Sequence, residues 1–407
     1  MSLLSTLPLR TRTLVSLAVL NFFLADARDG LGPFLDAWLI TQGWTAFELG
    51  LLATTGGAIG LFAGVPAGAW VDATRAKRSL LIVPVLLTTL LAFAAILWPS
   101  KPVVFVSQIL TALAGLLIGP TMVAISLGLV GRSGFTQQVS YNEAWNHTGN
   151  IVLLMATWWI SSEAGLSGVA TLMTITAVVT VLATLTINPD DIDHEVARGQ
   201  DETPGNRQHK PPSRLRVLWS NRGLLVFALT LMLFHFANAP ISRLLIQQNA
   251  INLDQPFKTT AIIMLVGQAS AIVGALLVPA AIRIFGLRYL VLFALATLPI
   301  RGVIAAQAHD FNAIYPVQIL DGLGAGLLGI LTPLVLEKLL AGTGHFNLGF
   351  ASVLTVQGIG ATLSSVVAGA VIEKWGYGHA FLVHGLIALL AILLFAFAGQ
   401  SKSAAKY

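Results

Sequence analysis

The 407 residues contain no cysteine, which excludes a disulfide framework, a thiolate metal site and a cysteine nucleophile. Charge is scarce too: Asp, Glu, Lys and Arg make up 10% of the chain, against roughly 25% in soluble domains. A chain this poor in charge, 56% hydrophobic and with a mean hydropathy of +0.80, belongs in a membrane. Ten-residue stretches of alternating polarity are missing, which argues against a β-barrel. No nucleotide-binding glycine loop, H-E-x-x-H pair or G-x-S-x-G elbow occurs, so ATP hydrolysis and intramembrane hydrolase chemistry have no carrier, and no cofactor is expected.

What is present is a succession of apolar runs. Crossing about 30 Å of hydrocarbon takes about 20 helical residues, and twelve runs qualify: 14–40, 46–70, 79–98, 102–130, 139–162, 166–188, 223–246, 259–281, 289–308, 312–338, 349–372 and 380–399. The first follows Arg10 and Arg12 but is longer than a signal-peptide core and lacks a cleavage site, so it is read as an uncleaved span. The expected fold is an all-α integral membrane protein with twelve transmembrane helices.

The basic residues sort by side. With the N-terminus in the cytoplasm, that side receives Arg10, Arg12, Arg75, Lys77, Arg78, Arg132, the basic residues of the central loop, Arg283, Arg288, Lys338, Lys402 and Lys406, whereas the other receives Lys101, Lys258 and Lys374. This is the positive-inside pattern of a bacterial inner-membrane protein with both termini cytoplasmic. The net charge of +5 is therefore topology and not a nucleic-acid site.

One polar stretch, 189–222, separates residues 1–188 from 223–407 and reads as a cytoplasmic linker between two six-helix bundles. Asp190, Asp191 and Asp193 in it read as solvated carboxylates rather than metal ligands. The bundles echo each other: QILTALAGLLIG from Gln108 matches QILDGLGAGLLG from Gln318, and FFLADA, 22–27, aligns with FHFANA, 234–239. Parallel duplication implies a pseudo-twofold axis along the membrane normal.

GAWVDATRAKR, Gly68 to Arg78, resembles the G-x-x-x-D-x-x-G-R-K loop of the major facilitator superfamily, with Gly68, Asp72 and Lys77 in place, Arg75 at the second Gly and Ala76 at the first basic position. The resemblance covers the full chain. It implies the superfamily's twelve-helix fold, and a gating role for Gly68, Asp72, Arg75, Lys77 and Arg78, in which the carboxylate and the basic groups latch the cytoplasmic gate. Gln108 stands where many proton-coupled members carry Arg, and the fifth span lacks the Pro of many exporters. Direction is left open, with a lean toward efflux.

Polar groups at membrane depth are costly and tend to be functional. FFLADARDGLGPF places Asp26, Arg28 and Asp29 within the first span, ahead of Gly30, Gly32 and Pro33. Asp26 and Asp29 share a helical face and repel, and Arg28 can neutralise only one of them, so this trio is the expected proton-coupling site. The fifth span carries an amide stripe, Asn142, Asn146 and Asn150, beside Glu143 and His147. With His235, Asn238 and Arg243 in the seventh span, Asp321 in the tenth and Gln357 in the eleventh, these are expected to line a substrate cavity. Arg301 is a further charge within the ninth span.

These residues point to a secondary active transporter of a small organic solute, driven by protons and working by alternating access. The expected partners are that solute, protons and membrane lipid; nucleic acid and a resident metal are not expected, and the chain reads as a monomer. A receptor on a transporter scaffold and a divalent-metal transporter are the alternatives.

Overall fold

The computed structural model describes residues 9–27, 35, 39, 42, 44, 46–201, 220–242, 244–245, 248, 256–307 and 311–398. All regular structure among them is helical. Twelve long helices follow the apolar runs: α1 Leu9–Ala27, α2 Ala46–Ala73, α3 Ser79–Leu97, α4 101–130, α5 132–164, α6 166–186, α7 Arg222–Asn238, α8 Pro256–Phe285, α9 Leu287–Ala306, α10 314–340, α11 346–375 and α12 377–398. The chain divides into two compact units, Met1–Arg207 and Gln208–Tyr407, with six of these helices in each.

Three helix junctions are single glycines. Gly131 (φ 65°, ψ −178°), Gly165 (φ 58°, ψ −147°) and Gly376 (φ 82°, ψ 174°) break otherwise continuous helical stretches in a backbone region that is essentially closed to residues with a Cβ. Across the Gly131 break, Asn142 Nδ2 donates to Ser126 Oγ at 2.8 Å, so α4 and α5 form a hairpin. The expected loop at 131–138 is thus almost wholly helical: polar residues extend α5 beyond its apolar core, and a hydropathy window sees only that core.

Within lipid, helix association rests on close packing rather than on water exclusion, so glycines mark the contacts. In the first unit a methyl group at Gly149 of α5 would overlap the Phe22 carbonyl of α1. In the second, one at Gly360 of α11 would overlap the Met232 carbonyl of α7. These equivalent contacts, with Phe22 and Met232 210 residues apart, report the duplication directly. They also correct its register in the first span. Asp26 corresponds to Phe236, and Asn238 stands two residues further on.

The tenth helix is not uniform. Ile314–Asp321 and Leu327–Leu340 are α-helical, and Gly322–Gly326 between them forms a π turn. Its glycines admit neighbours closely: a Cβ at 322 would overlap the Gly267 carbonyl of α8, and one at 326 would lie 2.7 Å from the Ala271 methyl. Single π turns recur at functional sites.

The start of the central stretch is folded. A 3₁₀ turn, Pro189–Asp191, leads to a four-residue helix, His194–Ala197, capped by Asp193, whose carboxylate accepts from Glu195 N at 2.9 Å and Val196 N at 3.0 Å. Ile192, Val196, Ala197 and Gln200 are buried. Asp193 N donates to the Gly128 carbonyl at 3.0 Å, and Arg132 reaches the Gly199 and Gln200 carbonyls and Asp201. Residues 188–201 are therefore a strap seated on α4, with Asp193 a helix cap in place of a solvated charge. A Cβ at Gly128 would lie 2.8 Å from Ile192 and 2.9 Å from the Asp193 carbonyl, so glycine is what lets the strap lie down.

Candidate solute and coupling site

The second unit holds a polar cluster where α7, α9 and α10 meet. Arg301 of α9 is 1% exposed, and its Nη1 donates to Asp321 Oδ1 at 2.7 Å and to Asn238 Oδ1. Its Nη2 donates to Ser242 Oγ at 2.7 Å. Asn238 Nδ2 reaches Asp321 Oδ1 at 3.3 Å, and Gln318 Nε2 reaches Ser242 Oγ at 3.4 Å. Asp321 closes the α-helical part of α10 immediately before the π turn, and its side chain keeps 23% exposure. A fully buried cation is thus paired with a partly accessible carboxylate, the arrangement in which removal of one partner is costly.

Of the residues expected to line a cavity, Asn238 and Asp321 meet here. His235 lies one turn before Asn238, edge-on to Phe234, with ring centroids 5.4 Å apart. Gln357 is half-buried on α11. Arg243 lies outside the described residues. Arg301 was legible only as a charge in a span, because its partner is 20 residues away in sequence. Ser242 and Gln318 were not legible as site residues; small polar residues are too common in spans to single out, although Gln318 opens the repeat match.

The fifth-span stripe divides in two. Asn142 is 6% exposed and engaged at both its oxygen and its nitrogen, accepting from Gln138 Nε2 at 2.7 Å and donating to Ser126 at 2.8 Å. It fastens the α4–α5 hairpin rather than presenting an open amide. Asn146 and Asn150 are half-buried and bonded to each other at 3.3 Å, and Asn146 also approaches the Asn21 carbonyl at 3.5 Å. Glu143 and His147 stand one turn apart, 3.8 Å between Oε2 and Nε2. Asp26 lies in the last turn of α1, whereas Arg28 and Asp29 lie outside the described residues. Among the described residues no three His, Asp or Glu side chains gather as a metal site.

In the Gly68–Arg78 loop, Gly68 and Asp72 are buried in the last turns of α2. Lys77 is 1% exposed and folds back to cap that helix, donating to the Val71 carbonyl at 2.9 Å and the Thr74 carbonyl at 3.2 Å, as a cation at a helix C-terminus should. Burial pulls its ammonium down to about 8, with the Asp72 carboxylate opposing that shift. The strap's His194 is also lowered, first by burial and then by the nearby Lys77 and Arg75 charges. Arg78 donates to the Leu185 carbonyl at the end of α6 at 3.2 Å, and Arg75 is exposed.

Residues 17–300 match the family profile described as Major Facilitator Superfamily. The chain belongs to that superfamily. A similar protein, described as an uncharacterized MFS-type transporter of Mycobacterium tuberculosis, is 37% identical over 382 residues, 93% of this chain and 91% of the relative. Among solved structures, the superfamily member resembles the Escherichia coli fucose:proton symporter at a TM-score of 0.72 and 15% identity, covering 95% of this chain and 98% of the symporter. It also resembles a human organic anion transporter at a TM-score of 0.71 and 15% identity, covering 96% and 100%. At such identities the structures establish the twelve-helix fold of this superfamily member. The polar cluster around Arg301 thus lies inside a transporter's membrane bundle.

Proposed function

We propose that this superfamily member is a secondary active transporter of the bacterial inner membrane that moves a small organic solute by alternating access, driven by protons. The observation that supports it most is the Arg301–Asp321 pair. Arginine keeps its proton at any physiological pH, so a carboxylate beside it in a low-dielectric site is the member of the pair that can gain one. A proton on Asp321 removes the compensation of a buried cation, which converts a proton gradient into a force on the surrounding helices. Asp26 and Asp29, with Arg28, form the corresponding candidate in the first unit. Asp72 and its basic neighbours in the Gly68–Arg78 loop act in this reading as the cytoplasmic latch.

The test begins with a thermal-shift screen of metabolites and drugs on the purified protein, since a ligand at 100 times its dissociation constant adds about 2.7 kcal/mol. With a solute in hand, Asp321→Asn, Asp26→Asn and Asp29→Asn are reconstituted in proteoliposomes. At least one of them is expected to lose accumulation driven by a pH gradient while keeping solute exchange. Wild-type pH dependence in all three would refute proton coupling through these groups.

A further inference from the structure

We infer that the Arg301 site takes an anionic solute, a small organic monoanion with a carboxylate or an equivalent group, and that anion and proton bind it together. The inference rests on reading the cluster as the solute and proton site. A guanidinium has five N–H donors. Nη1 uses two, on Asp321 and Asn238, and Nη2 uses one, on Ser242. Nε is buried and has no partner among the described residues. Nε and Nη2 form one edge of the guanidinium, the edge that accepts a carboxylate through two parallel hydrogen bonds. Asp321 meets Nη1 through a single oxygen, so it balances the charge without occupying that edge. Ser242 Oγ accepts from both Arg301 and Gln318, which leaves its own O–H as a donor beside the same edge.

Charge then dictates the order of events. While Asp321 is ionised the cluster is neutral, and a second anion would make it negative. Once Asp321 takes a proton, the buried guanidinium has no counter-charge, and an anion that reaches the Nε–Nη2 edge supplies one. Proton and anion therefore raise each other's affinity by the same factor. The loaded site carries one proton and one monoanion, and its net charge equals that of the empty site, so transport coupled in this way moves no net charge. Among the described residues few other ionisable groups lie near, and Arg243, which follows Ser242 in sequence, lies outside them. His235 of α7 and Tyr315 of α10 are the nearest in sequence to Asn238 and Asp321, and α12 contributes His384, bonded to the Ala380 carbonyl at 2.8 Å. Arg283, Arg288, Glu337 and Lys338 sit toward the far ends of their helices, with Arg288 about 20 Å along α9 from Arg301 at 1.5 Å per residue.

The experiment uses the full-length protein in lipid nanodiscs with methanesulfonate, which stays ionised at every pH used, and its neutral counterpart methanesulfonamide. In the wild type, methanesulfonate is expected to raise Tm by about 2–4 °C at pH 5.5, with less than half that rise at pH 8 and no rise from the sulfonamide. Asp321→Asn, which mimics the protonated carboxyl, should show the rise at both pH values, and D321N/R301Q at neither. Equal shifts from the two compounds in the wild type at pH 5.5, or a sulfonate shift that survives Arg301→Gln, overturn the inference; the wild-type comparison decides even where a variant does not fold. Proton-driven accumulation in proteoliposomes is measured alongside. Neutral solutes accumulated with no sulfonate shift would sink the anion site and leave the transport reading standing. A sulfonate shift at Arg301 without proton-driven flux would do the reverse.

Discussion

Gly358 and Gly360 lie two residues apart on α11, yet alanine should have opposite effects at the two positions. At Gly358 an added methyl meets nothing within 4 Å, so Gly358→Ala gains only helix propensity, about 0.8–1.0 kcal/mol. At Gly360 the same methyl would lie inside 3.0 Å of the Met232 carbonyl, whereas ordinary contact begins at 3.4 Å. The obstacle is backbone on another helix and cannot rotate away, so α7 and α11 must separate. Overpacking of this kind costs about 1–3 kcal/mol, and parting the helices also loses contacts along the seam. The difference between the two variants is then about 2–4 kcal/mol. In a unit of about 200 residues each kcal/mol is worth about 2–4 °C in Tm. Thermal unfolding of the purified protein, followed by the fluorescence of its tryptophans, would show Gly358→Ala at or above wild type and Gly360→Ala at least about 2 °C below it. Gly149→Ala, blocked by the Phe22 carbonyl, should behave as Gly360→Ala does. A Gly360→Ala protein as stable as wild type would refute the close-approach argument.

Two further predictions concern the cytoplasmic loop and the strap. Lys77 holds its proton up to 10.5 when unfolded and only to about 8 when folded, so the unfolded chain binds more protons between those values. Stability should therefore rise by about 3 kcal/mol from pH 8 to 10.5 and be flat below pH 8; Tm against pH, with Lys77→Gln abolishing the rise, checks it. Asp193→Ala removes the cap of the His194–Ala197 helix, which costs about 0.5–2 kcal/mol locally. Faster hydrogen exchange at residues 195–200 with little change in global Tm is expected, and unchanged exchange there would show that the cap does not hold the strap.

The twelve helices were legible because each apolar core is long enough to identify itself, and the other structure that satisfies the backbone in lipid, a closed barrel, would alternate in polarity. Their ends were less so. Residues 132–138 and 377–379 read as loops because they are polar, yet helices continue past the hydrocarbon wherever nothing stops them. The strap was hidden for a different reason: burial of Ile192, Val196 and Ala197 is a tertiary fact that a composition rich in Asp obscures. Asp321 and Asn238 stood out as polar groups at membrane depth. That Asn142 bonds to Ser126 while Arg301 gathers Asp321, Asn238 and Ser242 depended on which helix faces which, and no spacing within one helix carries that information.

The π turn records a step in the history of this chain. Phe22 and Met232 are 210 residues apart, as are Gln108 and Gln318 of the repeat match. The positive-φ pairs Gly131 and Gly342, and Gly165 and Gly376, are 211 apart, and so are Gly149 and Gly360. One residue was therefore gained, or lost from the first half, between Gln318 and Gly342. The Gly322–Gly326 turn lies in that interval, and a turn closed i→i+5 holds one residue more than an α turn. A helix absorbs an insertion in this way without a break, at the cost of rotating everything before it by about 100° relative to everything after. Asp321 sits at the last position before that rotation. Asp321 is the residue at the junction that the extra residue redirects, and it is the one bonded to Arg301.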